Sequence, residues 1–421
     1  MGCSASGAVR PARSGPDRSY AGRARAGREG GDPAQFHVCS LSPIGAVLLL
    51  LGGAAVVFGV LPVDAALEIG DRVWPILLFV VAVTIVAELA ARAGVFDAAA
   101  ARLARLSRGR VIVLWLMVVA FAAVVTAFLS LDTTAVLLTP VVVAVARANG
   151  LSPMPFAFAT VWLANTASLF LPVSNLTNLL AAHRLGDLDA LGFLGLLGPS
   201  AIIATVVTVI LLWLTNRRGL RGRFTPARPP RVSDPVLLRI SAVVLVVMMP
   251  LLVIGIAPWM PALGAAVVLT IVFAWRSPTA LRWALVPWQL VVFASGLFLA
   301  VGAAEALGSG ALLAAATGSG EDFVSLWQVA GVGMLGANVV NNLPAYLALE
   351  SAAGSPVRLA ALLIGVNAGP LITPWASLAT LLWHERLHAV GVDVPWKRYI
   401  LLGLVVAPLT VALAVLPLAL H

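Results

Sequence analysis

Apolar runs long enough to cross a hydrocarbon core, about 20 residues each, recur from Ser42 nearly to the C-terminus. They lie near 44–62, 72–92, 111–129, 132–148, 154–184, 191–214, 236–256, 261–275, 286–307, 323–352, 357–388 and 397–418. Two of them do not read as simple crossings. Only Ser130 and Leu131 separate 111–129 from 132–148, too tight for two full spans with a turn in water, so this stretch reads as a re-entrant hairpin. The stretch 323–352 reads the same way. The run after Ser42 is long and lacks a small-residue cleavage site before the acidic loop Asp64 to Asp71, which makes it a retained span rather than a signal peptide. The pattern therefore predicts an all-α polytopic membrane protein of about nine to ten spans plus two hairpins.

Composition agrees: 61% of the 421 residues are hydrophobic, 11% are charged, and the mean hydropathy is +1.01. No length remains for a sizeable soluble domain. The net charge of +9 comes from arginines in the N-terminal tail and in short loops, where a nucleic-acid protein would need a folded basic face. Positive-inside topology accounts for them. The tail, the stretch holding Arg102, Arg105, Arg108 and Arg110, and the loop holding Arg217, Arg218, Arg221, Arg223, Arg228 and Arg231 are all expected in the cytoplasm, with Lys397 and Arg398. Outside fall Asp64, Glu68 and Asp71, then Asp187 and Asp189, then Glu321 and Asp322, with Arg72 and Arg358 the basic residues near that side. Residues 1–40, rich in Gly, Ala, Ser and Arg, read as a disordered basic tail. Cys3 and Cys39 are the only cysteines, so neither a disulfide framework nor a thiolate site for a soft metalloid is available.

An internal repeat emerges when the halves are aligned. Trp74, Phe79 and Gly94 match Trp288, Phe293 and Gly308 at a constant separation of 214 positions (288 less 74). Asn165, Pro172, Leu176, Leu179 and Leu180 match Asn367, Pro374, Leu378, Leu381 and Leu382 at 202 positions (367 less 165). On the arginine-based topology the matched segments run in opposite directions. That gives two inverted repeats, 41–215 and 236–421, joined by a basic loop at 216–235, the arrangement of secondary transporters.

Four polar clusters interrupt the apolar runs at corresponding places. The hairpin tips carry Ser130, Asp132, Thr133 and Thr134 in the first half and Asn338, Asn341, Asn342 and Pro344 in the second. The other pair reads NTASLFLPVSNLTN, with Asn165, Ser168, Ser174, Asn175 and Asn178, and NAGPLITPWASLAT, with Asn367, Gly369, Thr373, Ser377 and Thr380. Pro172 and Pro374 sit inside these segments, where proline removes an amide donor and breaks the helix. Broken helices at mid-depth expose half-helix ends that bind substrates and ions. The bland alternative is that these side chains glue helices together. Asp132 stands out, because a carboxylate near the bilayer centre is expensive. Glu88 and Glu305 lie toward segment ends, where the interface is within reach. His183, His384 and His388 also sit near loops, where an interfacial place is the simpler reading.

The segments LDTTAVLLTP, NTASLFLPVSNLTN, VVNNLP and NAGPLITPWASLATLLW resemble the signature segments of arsenite-efflux permeases, the arsenical pump membrane proteins. The likeness runs over about residues 44–418, and Gly369 to Trp383 is its most specific part. The family's pattern has an Asn-Asp pair where this chain has Leu131-Asp132, and often a basic residue where it has Leu371. The resemblance implies membership of the ion-transporter superfamily, which also holds divalent-anion/sodium symporters and sodium/proton antiporters. It implies substrate and coupling-ion sites at the hairpin tips and broken helices of an elevator-like transport domain, with Asp132, Thr133, Asn341, Asn342, Asn175 and Ser377 among them. Three activities stay open: proton-coupled efflux of arsenite or antimonite with Asp132 carrying the proton, sodium- or proton-coupled uptake of a dicarboxylate-like anion, and sodium/proton antiport. Neither enzymatic chemistry nor a cofactor is expected beyond a coupling ion, H+ or Na+. Partners to expect are the lipid bilayer of the inner membrane, a small inorganic or anionic substrate, a soluble ATPase docked on the arginine tail, and a second copy of the chain, with nucleic acid excluded.

Overall fold

The computed structural model describes residues 41–420 except 187 and 229–231. The tail expected over 1–40 lies outside the described residues. Every regular element among them is helical, and the sole pairing of extended backbone is one antiparallel bridge between Arg110 and Arg223. Eight of the described helices are long and apolar enough to cross a membrane, and four shorter apolar helices accompany them. The protein is an all-α, multi-pass membrane protein.

In chain order the first half contains α1 (Leu41–Val57), α2 (Val63–Arg92), α3 (Val95–Leu106), α4 (Val111–Leu129) and α5 (Leu131–Thr133). A π-helical turn, Thr134–Leu138, leads from α5 into α6 (Thr139–Ala148). Next come α7 (Met154–Thr166), α8 (Leu176–Arg184) and α9 (Ala190–Asn216). The second half contains α10 (Pro235–Leu251), α11 (Trp259–Arg276), α12 (Trp288–Ala306), α13 (Ser309–Thr317), α14 (Phe323–Val340), α15 (Asn342–Ala353), α16 (Pro356–Ala368), α17 (Leu378–Ala389) and α18 (Trp396–Ala414).

Local chemistry sets the boundaries. Asp189, Asp234 and Asp322 each accept backbone N–H bonds in the first turn of α9, α10 and α14, satisfying donors that have no partner inside the helix. A hydrogen bond from Arg276 holds the Asp234 carboxyl below the usual carboxylate range, so that cap stays ionised. Element boundaries recur between the halves: α7 and α16 end at Thr166 and Ala368, 202 positions apart (368 less 166), and α8 and α17 begin at Leu176 and Leu378 with the same separation. Gly94 and Gly308 both turn the chain in the left-handed region, φ 82° and 90°, ahead of α3 and α13. Only glycine does this without strain.

α1 packs closely against α12. A Cβ at Gly296 would come 2.5 Å from the Leu49 nitrogen, and one at Gly52 would collide with the Leu299 side chain. Small residues let two backbones meet, the usual basis of helix association where lipid supplies no hydrophobic drive.

At one end of the bundle the basic loops are tied together. The Phe224 amide donates to Gly109 O at 2.8 Å, and the Ala227 amide donates to Asn149 Oδ1 at 2.8 Å. Arg147 donates to the carbonyls of Val390 and Gly391, and Arg92 to that of Ala280. At the opposite end Arg358, 3% exposed, is spent on carbonyls of Thr317, Gly318, Gly320 and Ala353.

Candidate functional site

Both helical hairpins turn on a non-glycine residue in a conformation normally left to glycine: Ser130 at φ 89°, ψ 159° and Asn341 at φ 107°, ψ 154°. Such outliers cost on the order of 1–3 kcal/mol each and gather at functional sites. Each tip is held by its own side chain. Ser130 Oγ accepts from the Thr133 amide, and Asn341 Oδ1 accepts from the Leu343 amide. Each tip is also sewn to the break beside it. Ser174 Oγ donates to Ala127 O at 2.9 Å in the first half. In the second, the Asn342 amide donates to Ala376 O and Asn341 Nδ2 to Trp375 O, both at 2.9 Å.

The helix breaks occur where Pro172 and Pro374 place them. Between α7 and α8 the chain passes through two short 3-10 turns, and between α16 and α17 it is irregular. The residues that restart the helices, Asn175 and Ser377, share an extended conformation, φ −150°, ψ 145° and φ −141°, ψ 138°.

Several polar residues are spent holding the breaks in shape. Ser168 Oγ donates to Asn165 O at 2.6 Å, and Asn178 Nδ2 donates to Ser168 O and Leu171 O. Asn338 fastens the second break: its Oδ1 accepts from the amides of Ile372 and Thr373, its Nδ2 donates to Met334 O and Gly369 O, and its carbonyl accepts from Thr373 Oγ1 and Trp375 Nε1. Thr134 Oγ1 lies 2.8 Å from Thr126 Oγ1, and Thr380 Oγ1 lies 3.3 Å from the Tyr399 hydroxyl. Pro344 lies within α15, one turn past the tip.

At the centre, Asn367 joins the halves. Its Oδ1 accepts from Asn175 Nδ2 and Thr177 Oγ1, both at 2.8 Å, and its Nδ2 donates to Asn178 Oδ1 at 2.6 Å. All four residues are buried. Its counterpart Asn165 donates from Nδ2 to Val161 O at 2.9 Å, while its Oδ1, like Ser377 Oγ, is among the buried polar atoms with no partner. Asp132 is half-buried on α5, which packs on α17, and no described residue bonds its carboxylate.

A cavity of about 1200 Å³ reaches the first break at Pro172 and Val173 from the end opposite the basic loops, and Glu68, Asp71, Arg72, Arg184 and Asp189 line it. Beside it sits an ion cluster that hydropathy reading passes over. Glu350, 7% exposed in its side chain, takes two bonds from Arg72 and one from the Tyr346 hydroxyl at 2.8 Å, with Arg184 Nε at 3.7 Å. Arg72 also donates to Leu180 O at 3.2 Å. The cluster joins α2, α8 and α15. An acid inside the apolar stretch 323–352 is the signal that marks it. Glu88, by contrast, makes only a 3.4 Å contact with Arg92 one turn away, and Glu305 borders the cavity.

Comparison with known proteins agrees with this architecture. Residues 38–380 match the family model described as citrate transporter, CitMHS. The arsenical pump membrane protein of Escherichia coli strain K12 is 32% identical over 402 residues, covering 86% of this chain and 88% of that protein. That of Yersinia enterocolitica is 31% identical over 381 residues, 83% of this chain and 87% of that one. The crystal structure of the Alcanivorax borkumensis YdaH transporter, described as having an unusual topology, superposes with a TM-score of 0.57 over 91% of this chain and 97% of its own, at 15% identity, a likeness of fold alone. With buried polar breaks, hairpins on strained tips and alignment along most of its length, the chain is a membrane transporter that belongs to the CitMHS family and is a relative of the arsenical pump membrane proteins.

Proposed function

We propose that the protein is a secondary transporter that exports arsenite or antimonite across the inner membrane in exchange for protons. The observation that carries this reading is the chemistry of the breaks: segments 165–178 and 367–380 offer amides and hydroxyls and contain no lysine or arginine. Arsenite is a neutral trihydroxide at neutral pH and needs hydrogen-bond partners without a countercharge. The 31–32% identity to arsenical pump membrane proteins supports the same substrate.

In this reading residues 41–215 and 236–421 are inverted repeats around the breaks, and positive-inside topology sets the tied basic loops and the N-terminus in the cytoplasm. The cavity beside Arg72 then opens outward. The hairpins and broken helices move as a transport body carrying substrate, and Asp132, without a cationic partner, takes up and releases the coupling proton as its access alternates. Ser130, Thr133, Asn341, Asn342, Asn175 and Ser377 surround the moving site.

The name of the matching family model favours one other reading, coupled uptake of citrate or a related anion, with half-helix N-termini as the binding dipoles. Expression in an arsenite-sensitive bacterial strain separates the two. Restored growth on arsenite, with no citrate uptake by proteoliposomes, is expected. Unchanged sensitivity at confirmed membrane expression, together with citrate uptake, selects the second.

A further inference from the structure

Two spanning helices, α9 and α18, pack against each other and meet at the basic end of the bundle, where α9 finishes at Asn216 and α18 begins at Trp396. Between those ends lie two adjoining cavities, of about 530 Å³ and 410 Å³, that share Thr215 and Arg398 in their walls. Lys397 adds a second cation to the larger, and Arg217 and Arg218 add theirs to the smaller. All four basic residues are exposed, and among the described residues no acidic side chain lines either cavity. Arg398 is held in place as well: its guanidinium lies 5.6 Å from the centre of the buried Phe158 ring, which stacks on Tyr399. α18 opens at Pro395 without a side-chain cap, so no side chain of its own offsets the positive end of its dipole there.

Four cations around two neighbouring hollows suit an anion carrying more than one charge. The surface beside them is apolar. Leu214 and Leu401 line the cavities and are exposed, and Leu404 and Val405 continue the same face of α18 one turn further on, exposed in their turn. Trp213, also exposed, stands beside Leu214 on α9, and indole rings gather at the level where a membrane meets water. We propose that the ends of α9 and α18 bind an acidic phospholipid with two phosphates, one in each cavity and Arg398 between them, its acyl chains running along Leu214, Leu401 and Val405. A free phosphate would leave that apolar face unused. Each cation near a membrane surface strengthens the attraction for anionic lipid by about fivefold. The site stands apart from the transported substrate, yet it bears on the breaks. α9 packs on the turn Ala167–Phe170 of the first break and α18 packs on α16, so the lipid ties together the ends of two helices that flank them.

The full-length protein, purified in mild detergent, is titrated with tetraoleoyl cardiolipin, dioleoyl phosphatidylglycerol, dioleoyl phosphatidylcholine, inorganic phosphate and a hexaglutamate peptide, and bound molecules are counted by native mass spectrometry. Expected is one cardiolipin per chain, bound at least about tenfold more tightly than phosphatidylglycerol, with no retention of phosphatidylcholine, phosphate or peptide. Lys397→Gln/Arg398→Gln should weaken cardiolipin binding about 25-fold, two charges at about fivefold each. Arg102→Gln/Arg105→Gln, which takes the same charge from α3, should leave it within twofold of wild type. If the first double variant fails to fold, Thr215→Glu takes its place: it sets a carboxylate in the wall shared by both cavities, keeps every cation, and should weaken binding at least about tenfold. An equal loss in the α3 variant would mark a diffuse surface attraction. Phosphatidylglycerol bound as tightly as cardiolipin would mark a site for one phosphate, and phosphate or peptide retained in preference to lipid would mark a soluble ligand. Each of these results overturns the proposal, as does cardiolipin binding within twofold of wild type in a folded cavity variant.

Discussion

Replacing Glu350 by glutamine removes one charge from the cluster of Arg72, Arg184 and Tyr346 while keeping the side chain's shape. Breaking a buried ion pair by deleting one partner costs about 3–5 kcal/mol, because the other charge stays behind. Two features lower that here. Arg72 and Arg184 line the cavity, with side chains 19% and 55% exposed, and so retain water. A glutamine oxygen also still accepts from the Tyr346 hydroxyl. We expect a loss of about 2–3 kcal/mol, which at 1.36 kcal/mol per decade is roughly a 30- to 160-fold change in any equilibrium that the pair biases. Chemical unfolding in detergent of wild type, Arg72→Gln, Glu350→Gln and the double variant gives the coupling energy directly. If the pair also holds α2 to the second hairpin in one access state, labelling of a cysteine placed at Val173, on the cavity wall, by an impermeant maleimide will change in Glu350→Gln. A coupling energy below about 0.5 kcal/mol, the level of an exposed pair, with unchanged labelling would refute the reasoning.

Asp132→Asn keeps the hairpin and most of its hydrogen-bonding capacity while removing the titratable group, so substrate binding should persist while flux driven by a pH gradient falls at least tenfold in proteoliposomes. Wild-type flux would transfer the role to Glu88 or Glu305. Single cysteines at Arg221 and Lys397 should label from the same side of the membrane and a cysteine at Glu68 from the other; any other distribution removes the inverted-repeat topology. Gly296→Val drives a methyl into Leu49 and Gly45 and should lower stability by about 1–3 kcal/mol, read as weaker resistance to unfolding in detergent.

The sequence pattern located the features that local chemistry controls. Pro172 and Pro374, set among small and polar neighbours, fall in the stretches where the helices are interrupted, whereas Pro75, Pro199 and Pro408 lie inside continuous helices, so proline together with its polar neighbours marks the breaks. Gly94 and Gly308 stand in corresponding left-handed turns. What the pattern could not rank was the use made of each polar side chain. Asn338 and Asn367 look alike in the sequence, yet one is consumed fastening its own break and the other reaches across to the other half. Glu350 was hidden for a related reason. Its main partner, Arg72, lies 278 residues away, and no local periodicity encodes a contact of that span. The different use of Asn165 and Asn367 is less visible still, since Asn165 bonds within its own helix and Asn367 bonds side chains of the other half.

The bridging role of Asn367 also constrains how the protein is made. A ribosome delivers the chain to the membrane from its N-terminus, so Asn175, Thr177 and Asn178 enter the bilayer before residue 367 has been synthesised. Until it arrives, Asn175 Nδ2, Thr177 Oγ1 and Asn178 Oδ1 lack their native partner, in a solvent that offers few substitutes. The first half therefore cannot settle into its mature form alone, and the break between α7 and α8 is completed only when α16 threads in beside it. Assembly order is written into one amide: a helix of the second half completes a break made in the first.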